Sequence, residues 1–330
     1  MNAGSKPDAT TPVALPDNLV SVHPNEAGVV PILVYHRFGR VRVNDYGMDP
    51  YPADMFRDDL DWLYHHNYYP IALGDFARGK IDCPAGKSPV IITFDDSWYS
   101  QFWIDDDGST NPDCAVAILE AFHKEHSDWP LRATFFVIAG STDVSCPFYQ
   151  PEYVERKLQY LVKDGFEIGN HTRLHLHMNT LDDDQVQAEI ASCTAALHKS
   201  LPNYPVTTFA LPYGDYPKNV ALVASGQSDG QKYHHVCAVA FHVYKPALSP
   251  IDSNFDPYHI DRIAAGTDPH QLQWWLDYLE KHPSEKYVSD GDPSTFTIPS
   301  TELSNIDPAR VAAFGRHLRL YNPTANRKTK

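Results

Sequence analysis

From residue 29 onward the chain alternates short apolar runs, five to nine residues long, with longer stretches whose apolar side chains recur at helical spacing. No other feature constrains the fold as tightly. A strand that is apolar throughout must be covered on both faces, and a helix after each strand supplies that cover. The strand candidates are "VVPILVYH" (29–36), "PVIITF" (89–94), "ATFFVIAG" (133–140), "FEIGNH" (166–171), "VTTFALPYG" (206–214), "HVCAVAFHV" (235–243) and "HIDRI" (259–263). Between them, "ADMFRDDLDWLYHHN" (53–67) sets Met55, Phe56, Leu60, Leu63 and Tyr64 at helical spacing. "PEYVERKLQYLVKDG" (151–165) has Pro near its start and Gly at its end, as a helix should. "TLDDDQVQAEIASCTAALHKSL" (180–201) predicts a helix with a Thr N-cap and an Asp-rich first turn. Further helices are expected near 217–226 and over "DPHQLQWWLDYLEKH" (268–282). Six or seven such units in about 250 residues predict a parallel (β/α) barrel rather than a three-layer sandwich. In barrels of this kind the chemistry sits where strands end and βα loops begin.

The flanks differ in composition. Residues 1–28 read as a polar linker without the charged-then-apolar pattern of a signal peptide. Residues 29–282 read as the barrel. Residues 283–330 read as an extension packed on it, with a strand at "STFTIP" and a short helix at "DPARVAAFGRHLRLY". The net charge of −15 argues against nucleic acid or an anionic membrane as partner. No stretch approaches the ~20 apolar residues that span a bilayer. The five cysteines, Cys83, Cys114, Cys146, Cys193 and Cys237, contain no C-x-x-C pair, so neither a zinc knuckle nor a thioredoxin motif is present. Their odd number leaves at least one thiol unpaired and room for one or two disulfides.

The strand ends carry an unusual set of residues. "TFDD" ends one with Asp95 and Asp96; "GNHTRLHLH" ends another with His171 and His175, and His177 just beyond; "FALPYGDY" ends a third with Tyr213 and Gly214. Adjacent carboxylates repel, so Asp95 and Asp96 call for different partners. One carboxylate and two imidazoles leave half a coordination sphere open, the arrangement of a catalytic zinc site. With Asp96 on a metal, Asp95 remains as a base. Each feature alone has a plainer reading: a turn cap for the Asp pair, a surface accident for the His pair in a chain with 17 His. Each at the end of its own parallel strand, they support one another.

"TFDDS", "HTRLH" and "LPYG" resemble the first three motifs of the polysaccharide deacetylases, carbohydrate esterase family four, whose usual forms are TFDDG, H-[ST]-x-x-H and R-x-P-Y. The resemblance covers roughly residues 30–280. "PILVYHRFG" and "PYHIDRI" are most similar to the branch that contains poly-N-acetylglucosamine deacetylases. The resemblance implies a distorted (β/α)7 barrel. It implies a divalent metal on Asp96, His171 and His175, usually zinc, with cobalt or nickel able to replace it. Asp95 is then the general base and the Tyr213 backbone N–H an oxyanion donor, with Pro212 and Gly214 beside the substrate and Thr172 fixing the turn between ligands. The implied substrate is an acetylated polysaccharide or oligosaccharide outside the cytoplasm, acted on by a monomer.

Three positions depart from the family pattern. Ser97 replaces the Gly after the Asp pair. Ala210 replaces the motif-three Arg that orients the catalytic Asp, and Arg262 in "HIDRI" is the candidate replacement cation. No late Leu-x-His is present to supply a general acid; His36, His242 and His259 lie near predicted strand ends, with His36 the first choice because it closes the first strand. The aromatics Trp98, Tyr99, Phe102 and Trp103 form either a sugar-stacking groove wall or a buried plug. The insertion "DDDGSTNPDC" (105–114) is polar and acidic without EF-hand spacing. Two rivals remain: a non-haem iron oxygenase with the same ligand types, and a non-catalytic glycan-binding protein on a deacetylase scaffold.

Overall fold

Short, largely buried strands run parallel around a closed circuit in the computed structural model, which describes residues 11–39, 50–140, 147–240, 244–266 and 268–323. The strands are β1 (Ile32–Tyr35), β2 (Tyr68–Pro70), β3 (Ser88–Phe94), β4 (Thr134–Val137), β5 (Glu167–Asn170), β6 (Thr208–Ala210), β7 (Ser225–Ser228), β8 (Gln231–His234), β9 (Cys237–Val239), β10 (Ile263–Ala264), β11 (Thr295–Pro299) and β12 (His317–Tyr321). The helices are α1 (Ala53–His65), α2 (Leu73–Ala77), α3 (Ala115–Glu125), α4 (Val154–Lys163), α5 (Asp183–Ser200), α6 (Ala221–Ala224), α7 (Leu272–Lys281) and α8 (Pro308–Ala313).

The main sheet runs β10-β1-β3-β4-β5-β6-β9, with β2 added beside the start of β3. A parallel bridge joins Val239 of β9 to Ile260, three residues before β10, so residues 260–264 carry the chain from β9 to β1 and close the circuit. This is the expected distorted (β/α) barrel. Alternate residues of a strand enter different apolar layers, as the pleat requires. Leu33 and Tyr35 pack outward with Phe56, Leu60, Ile92, Phe94 and Phe135. Ile32, Ile91, Phe136, Ala210, Val239 and Ile260 fill the interior.

Several expectations shift. The N-cap of α5 is Asp182, not Thr180: Asp182 accepts from the Gln185 N–H while the Gln185 side chain accepts from the Asp182 N–H. Thr180 sits in the preceding turn, its hydroxyl donating to the His177 carbonyl. The helix near 217–226 shrinks to α6 and gives way to the antiparallel hairpin β7–β8. Its turn residues Asp229 and Gly230 both have positive φ, the conformation that an Asp-Gly pair accepts in a two-residue hairpin. In the extension, the second half of "DPARVAAFGRHLRLY" is a strand, β12, paired parallel with β11. Phe296, Ile298 and Leu320 of that pair pack against Ile251, Ile306 and Val311. Cys83, Cys114, Cys193 and Cys237 are buried free thiols. Cys146 and His242 lie outside the described residues. No described helix is long and apolar enough to cross a membrane.

Candidate metal centre and active site

Three βα loops at the carboxyl ends of β3, β5 and β6 build the site, and all three bend through left-handed backbone. Asp96, Ser97, Thr172, His175 and Tyr213 have φ of 70°, 47°, 64°, 56° and 56°. Such non-glycine residues each cost on the order of 1–3 kcal/mol and gather where function holds them. The surrounding bonds enforce the bends. The Gln101 amide donates to the carbonyls of His36 (2.7 Å) and Asp95, stitching the ends of β1 and β3. Ser97 Oγ accepts from the Ile138 N–H at 3.2 Å, and the Ser97 carbonyl from the Phe148 N–H. Asn170 accepts from the Thr172 N–H at 2.8 Å, and Thr172 Oγ1 from the His175 N–H at 3.0 Å. Thr172 therefore fixes the turn between the two imidazoles.

Those turns bring Asp96, His171 and His175 together. Their ligand atoms all lie within 4.8 Å of one another. Asp96 Oδ1 stands 3.2 Å from His171 Nε2 and 3.2 Å from His175 Nε2. Two donors about 2.1 Å from a tetrahedral ion stand roughly 3.4 Å apart, so the set fits a zinc-sized cation. Two of the three ligands are also oriented from behind, as metal ligands usually are. His171 Nδ1 donates to the Ala210 carbonyl (2.9 Å), which turns its Nε2 lone pair toward Asp96. Asp96 Oδ2 accepts from the Trp98 indole N–H (3.0 Å). Burial pushes the Asp96 carboxyl up, but His171, His36 and His175 outweigh it and hold it well below the usual carboxylate range. Burial and the His171 charge push His175 down to about 4, which keeps its ring neutral and ligand-ready near neutral pH. Burial also opposes a proton on His171, yet Asp95 and Asp96 raise it. The same pull would draw a divalent cation.

Asp95 stands apart from that trio. It is fully buried, with Oδ2 3.9 Å from His171 Nε2. Arg262, also fully buried, grips it with both terminal nitrogens, at 2.7 Å to Oδ1 and 2.6 Å to Oδ2. The guanidinium is itself seated on Thr93 Oγ1 (2.9 Å), the Ala240 carbonyl (3.3 Å) and the Phe136 ring. Burial raises the Asp95 carboxyl; Arg262 and His171 overcome that, and the net direction is down. The bidentate grip occupies part of the carboxylate's acceptor capacity and leaves lone pairs for a proton.

The remaining candidates separate. His36 is half-buried at the end of β1, and its charge is felt at Asp95, Asp96 and His175. His259 is exposed, held by Asp256 (2.7 Å) and stacked on Tyr216, and it makes no described contact with the four site groups. Trp98 is buried, with Tyr149 stacked on its ring and Arg37 over it. Its indole N–H supports Asp96. Phe102 is buried too, whereas Tyr99 and Trp103 are half-buried and meet edge to face. Pro212 and Gly214 are buried and Tyr213 between them is 46% exposed. The Tyr213 N–H has no acceptor among the described residues. The 105–114 insertion closes on itself through Asp105, Asp107 and Ser109. Sequence reasoning missed Asn170, Gln101, the Ala210 carbonyl and Trp98 as supports; only contacts across strands reveal them.

Residues 83–228 match the family model described as polysaccharide deacetylase. A chitooligosaccharide deacetylase from Bradyrhizobium sp. (strain ANU 289) is 27% identical over 141 residues, 43% of this chain and 53% of its own length. A Bacillus subtilis relative is matched over 60% of its length, so the chain spans little more than half of the curated relatives it matches. Among solved structures, the Streptococcus pyogenes deacetylase PplD in complex with acetate superposes with a TM-score of 0.56 at 19% identity, over 76% of this chain and 97% of that one. BC0361, a polysaccharide deacetylase from Bacillus cereus, gives 0.55 at 16% identity, over 76% and 68%. At these identities the superpositions establish the shared fold.

Proposed function

We propose, from the polysaccharide deacetylase domain that residues 83–228 carry, that this chain is a metal-dependent hydrolase. It removes acetyl groups from an N-acetylglucosamine-containing or O-acetylated polysaccharide. The observation that carries the reading is the division of labour between adjacent carboxylates: Asp96 faces two imidazoles at 3.2 Å, while Asp95 faces a guanidinium.

A divalent cation on Asp96, His171 and His175, zinc with cobalt or nickel as replacements, supplies Lewis acidity and lowers the pKa of coordinated water to roughly 7. Asp95 is kept ionised by Arg262 and takes the proton of the attacking water. The Tyr213 N–H donates to the oxyanion that forms from the acetyl carbonyl, an interaction typically worth ~3 kcal/mol. His36 protonates the departing amine or alkoxide, in the role that a late Leu-x-His fills elsewhere. Trp98 and the Ala210 carbonyl hold the ligands in register throughout. A polysaccharide substrate of this type favours an activity outside the cytoplasm.

The test is acetate release from N-acetylchitooligosaccharides and acetylated xylan after loading with zinc, cobalt or nickel. Release with at least one metal, on at least one glycan, is expected. Tight glycan binding with no acetate under any metal would instead favour the non-catalytic binder. Iron content with 2-oxoglutarate turnover would favour the oxygenase.

A further inference from the structure

Beyond the four central side chains, the rim of the site carries a feature that the chemistry above does not use. His177 donates through Nδ1 to Asp215 Oδ2 at 2.7 Å, joining the β5 loop to the β6 loop. Its ring lies flat on Tyr213, with centroids 3.9 Å apart and planes at 15°. Tyr213 in turn meets the ligand His175 at 4.5 Å. In the neutral ring, the Asp215 clamp puts the proton on Nδ1 and leaves Nε2 as an acceptor. His177 is 55% exposed, and its Nε2 has no partner among the described residues.

The surroundings are apolar in a place where water would be expected. Among the described residues only four large apolar side chains are notably exposed, and Leu174, Leu176 and Tyr213 are three of them. The two leucines flank His175 in the chain. Scattered exposed apolar residues need no explanation; three of the four on the two loops that the His177–Asp215 bond joins mark a binding surface. A flat ring pair, an apolar lip and one fixed hydrogen-bond acceptor match a pyranose unit, which offers C–H faces to stack and hydroxyls to donate.

We propose that His177, clamped by Asp215 and stacked on Tyr213, positions the sugar unit next to the one being deacetylated. The apolar faces of that unit rest on Tyr213, Leu174 and Leu176, and one of its hydroxyls donates to His177 Nε2. His177 touches a neighbouring unit and not the reacting atoms, so it acts on substrate length and placement. The inference rests on the glycan deacetylase reading above and deepens it.

Calorimetry on zinc-loaded Asp95→Asn protein, which holds substrate without turning it over, tests the proposal with N-acetylchitotetraose and N-acetylglucosamine as probes. Adding His177→Ala should weaken the tetramer roughly tenfold, the loss of one hydrogen bond and one stacking partner, and the single sugar much less. His177→Phe, which keeps the stack and loses the acceptor, should fall between. In the active protein, His177→Ala should raise KM for the tetramer more than it lowers kcat. Zinc stoichiometry and Tm report whether the ligand loop is intact. Equal weakening of both probes, or lost zinc, would reduce His177 to a structural prop and overturn the proposal. So would unchanged tetramer binding, with the deacetylase reading left standing. Failure of that reading is distinct: no probe binds the Asp95→Asn protein and the unmodified chain releases no acetate.

Discussion

Ser97 occupies a backbone conformation that glycine adopts freely, and it compensates with a hydrogen bond that glycine cannot make. The two effects can be separated. Ser97→Ala keeps the left-handed strain and orphans the buried Ile138 N–H, a loss of about 1–3 kcal/mol in urea denaturation. Ser97→Gly loses the same bond but relieves about 1–2 kcal/mol of strain, so it should cost distinctly less. Equal costs would mean that the left-handed backbone at Ser97 stores no strain. Arg262 poses a sharper test. Arg262→Met leaves the Asp95 carboxylate buried and unpaired, a loss of about 3–5 kcal/mol. The guanidinium holds the Asp95 carboxyl down, so that carboxyl stabilises the fold above the ordinary carboxylate range and ceases to as pH falls through its lowered value. Without Arg262 it rises, and the acidic limb of the kcat profile should move to higher pH; an unmoved limb would contradict the pairing. The four central residues were legible because each motif names side chains of fixed chemistry at strand ends. Arg262 stood as one candidate cation, since its partner lies 167 positions away. The Trp98 indole was ambiguous because an aromatic after a strand reads alike as plug or platform.

Element by element, the sequence was most readable where periodicity was long. Helix α1 was expected over 53–67 and runs Ala53–His65, and strand β3 was expected over 89–94 and runs Ser88–Phe94. Short elements were lost: β2 has three residues, and the hairpin β7–β8 begins at the end of the expected 217–226 helix, with its Asp-Gly turn just beyond it. In the extension, Gly315 with φ of 70° stops α8, and "HLRLY" then alternates as a strand. The α5 start shows why boundaries slip: Thr180, Asp182, Asp183 and Asp184 are all plausible caps, Asp182 and Asp184 both have Gln three residues on, and it is Asp182 that forms the reciprocal pair. Asp182→Ala should lower stability by about 1 kcal/mol, read as a drop in Tm, while Asp183→Ala should move it far less. Equal drops would argue for first-turn charge rather than capping. This helix also supports the metal loop, because Glu189 accepts from the Leu174 N–H at 2.8 Å and the Ile190 carbonyl accepts from the Asn170 amide.

At the scale of the molecule, the barrel and the extension meet around one buried acid. Glu26 accepts from the Thr297 N–H of β11 (2.6 Å) and the Tyr287 hydroxyl (3.0 Å). Burial and the nearby Asp290 carboxylate push Glu26 up to about 8, against the bonds and Arg316 that favour its charge. Its folded value lies above its unfolded one, so its contribution is fully present below about 4.5 and is lost as pH rises through about 8. Each pH unit of that gap is worth roughly 1.4 kcal/mol at most. Glu26→Gln should therefore be the more stable protein at pH 9, with the difference vanishing toward pH 5 in denaturant titrations; a constant difference would sink the assignment. Such a network spans 271 positions from Glu26 to Thr297 and leaves no periodic trace in the sequence. The barrel beneath it brings strand ends together, and in the function proposed above one of two adjacent carboxylates binds metal while the other activates water. The most direct measurement is acetate release by Asp95→Asn beside the unmodified chain, both at measured zinc content. The account predicts one zinc per chain in each and acetate from the unmodified chain alone. Undiminished acetate from Asp95→Asn, or loss of its zinc, would contradict it.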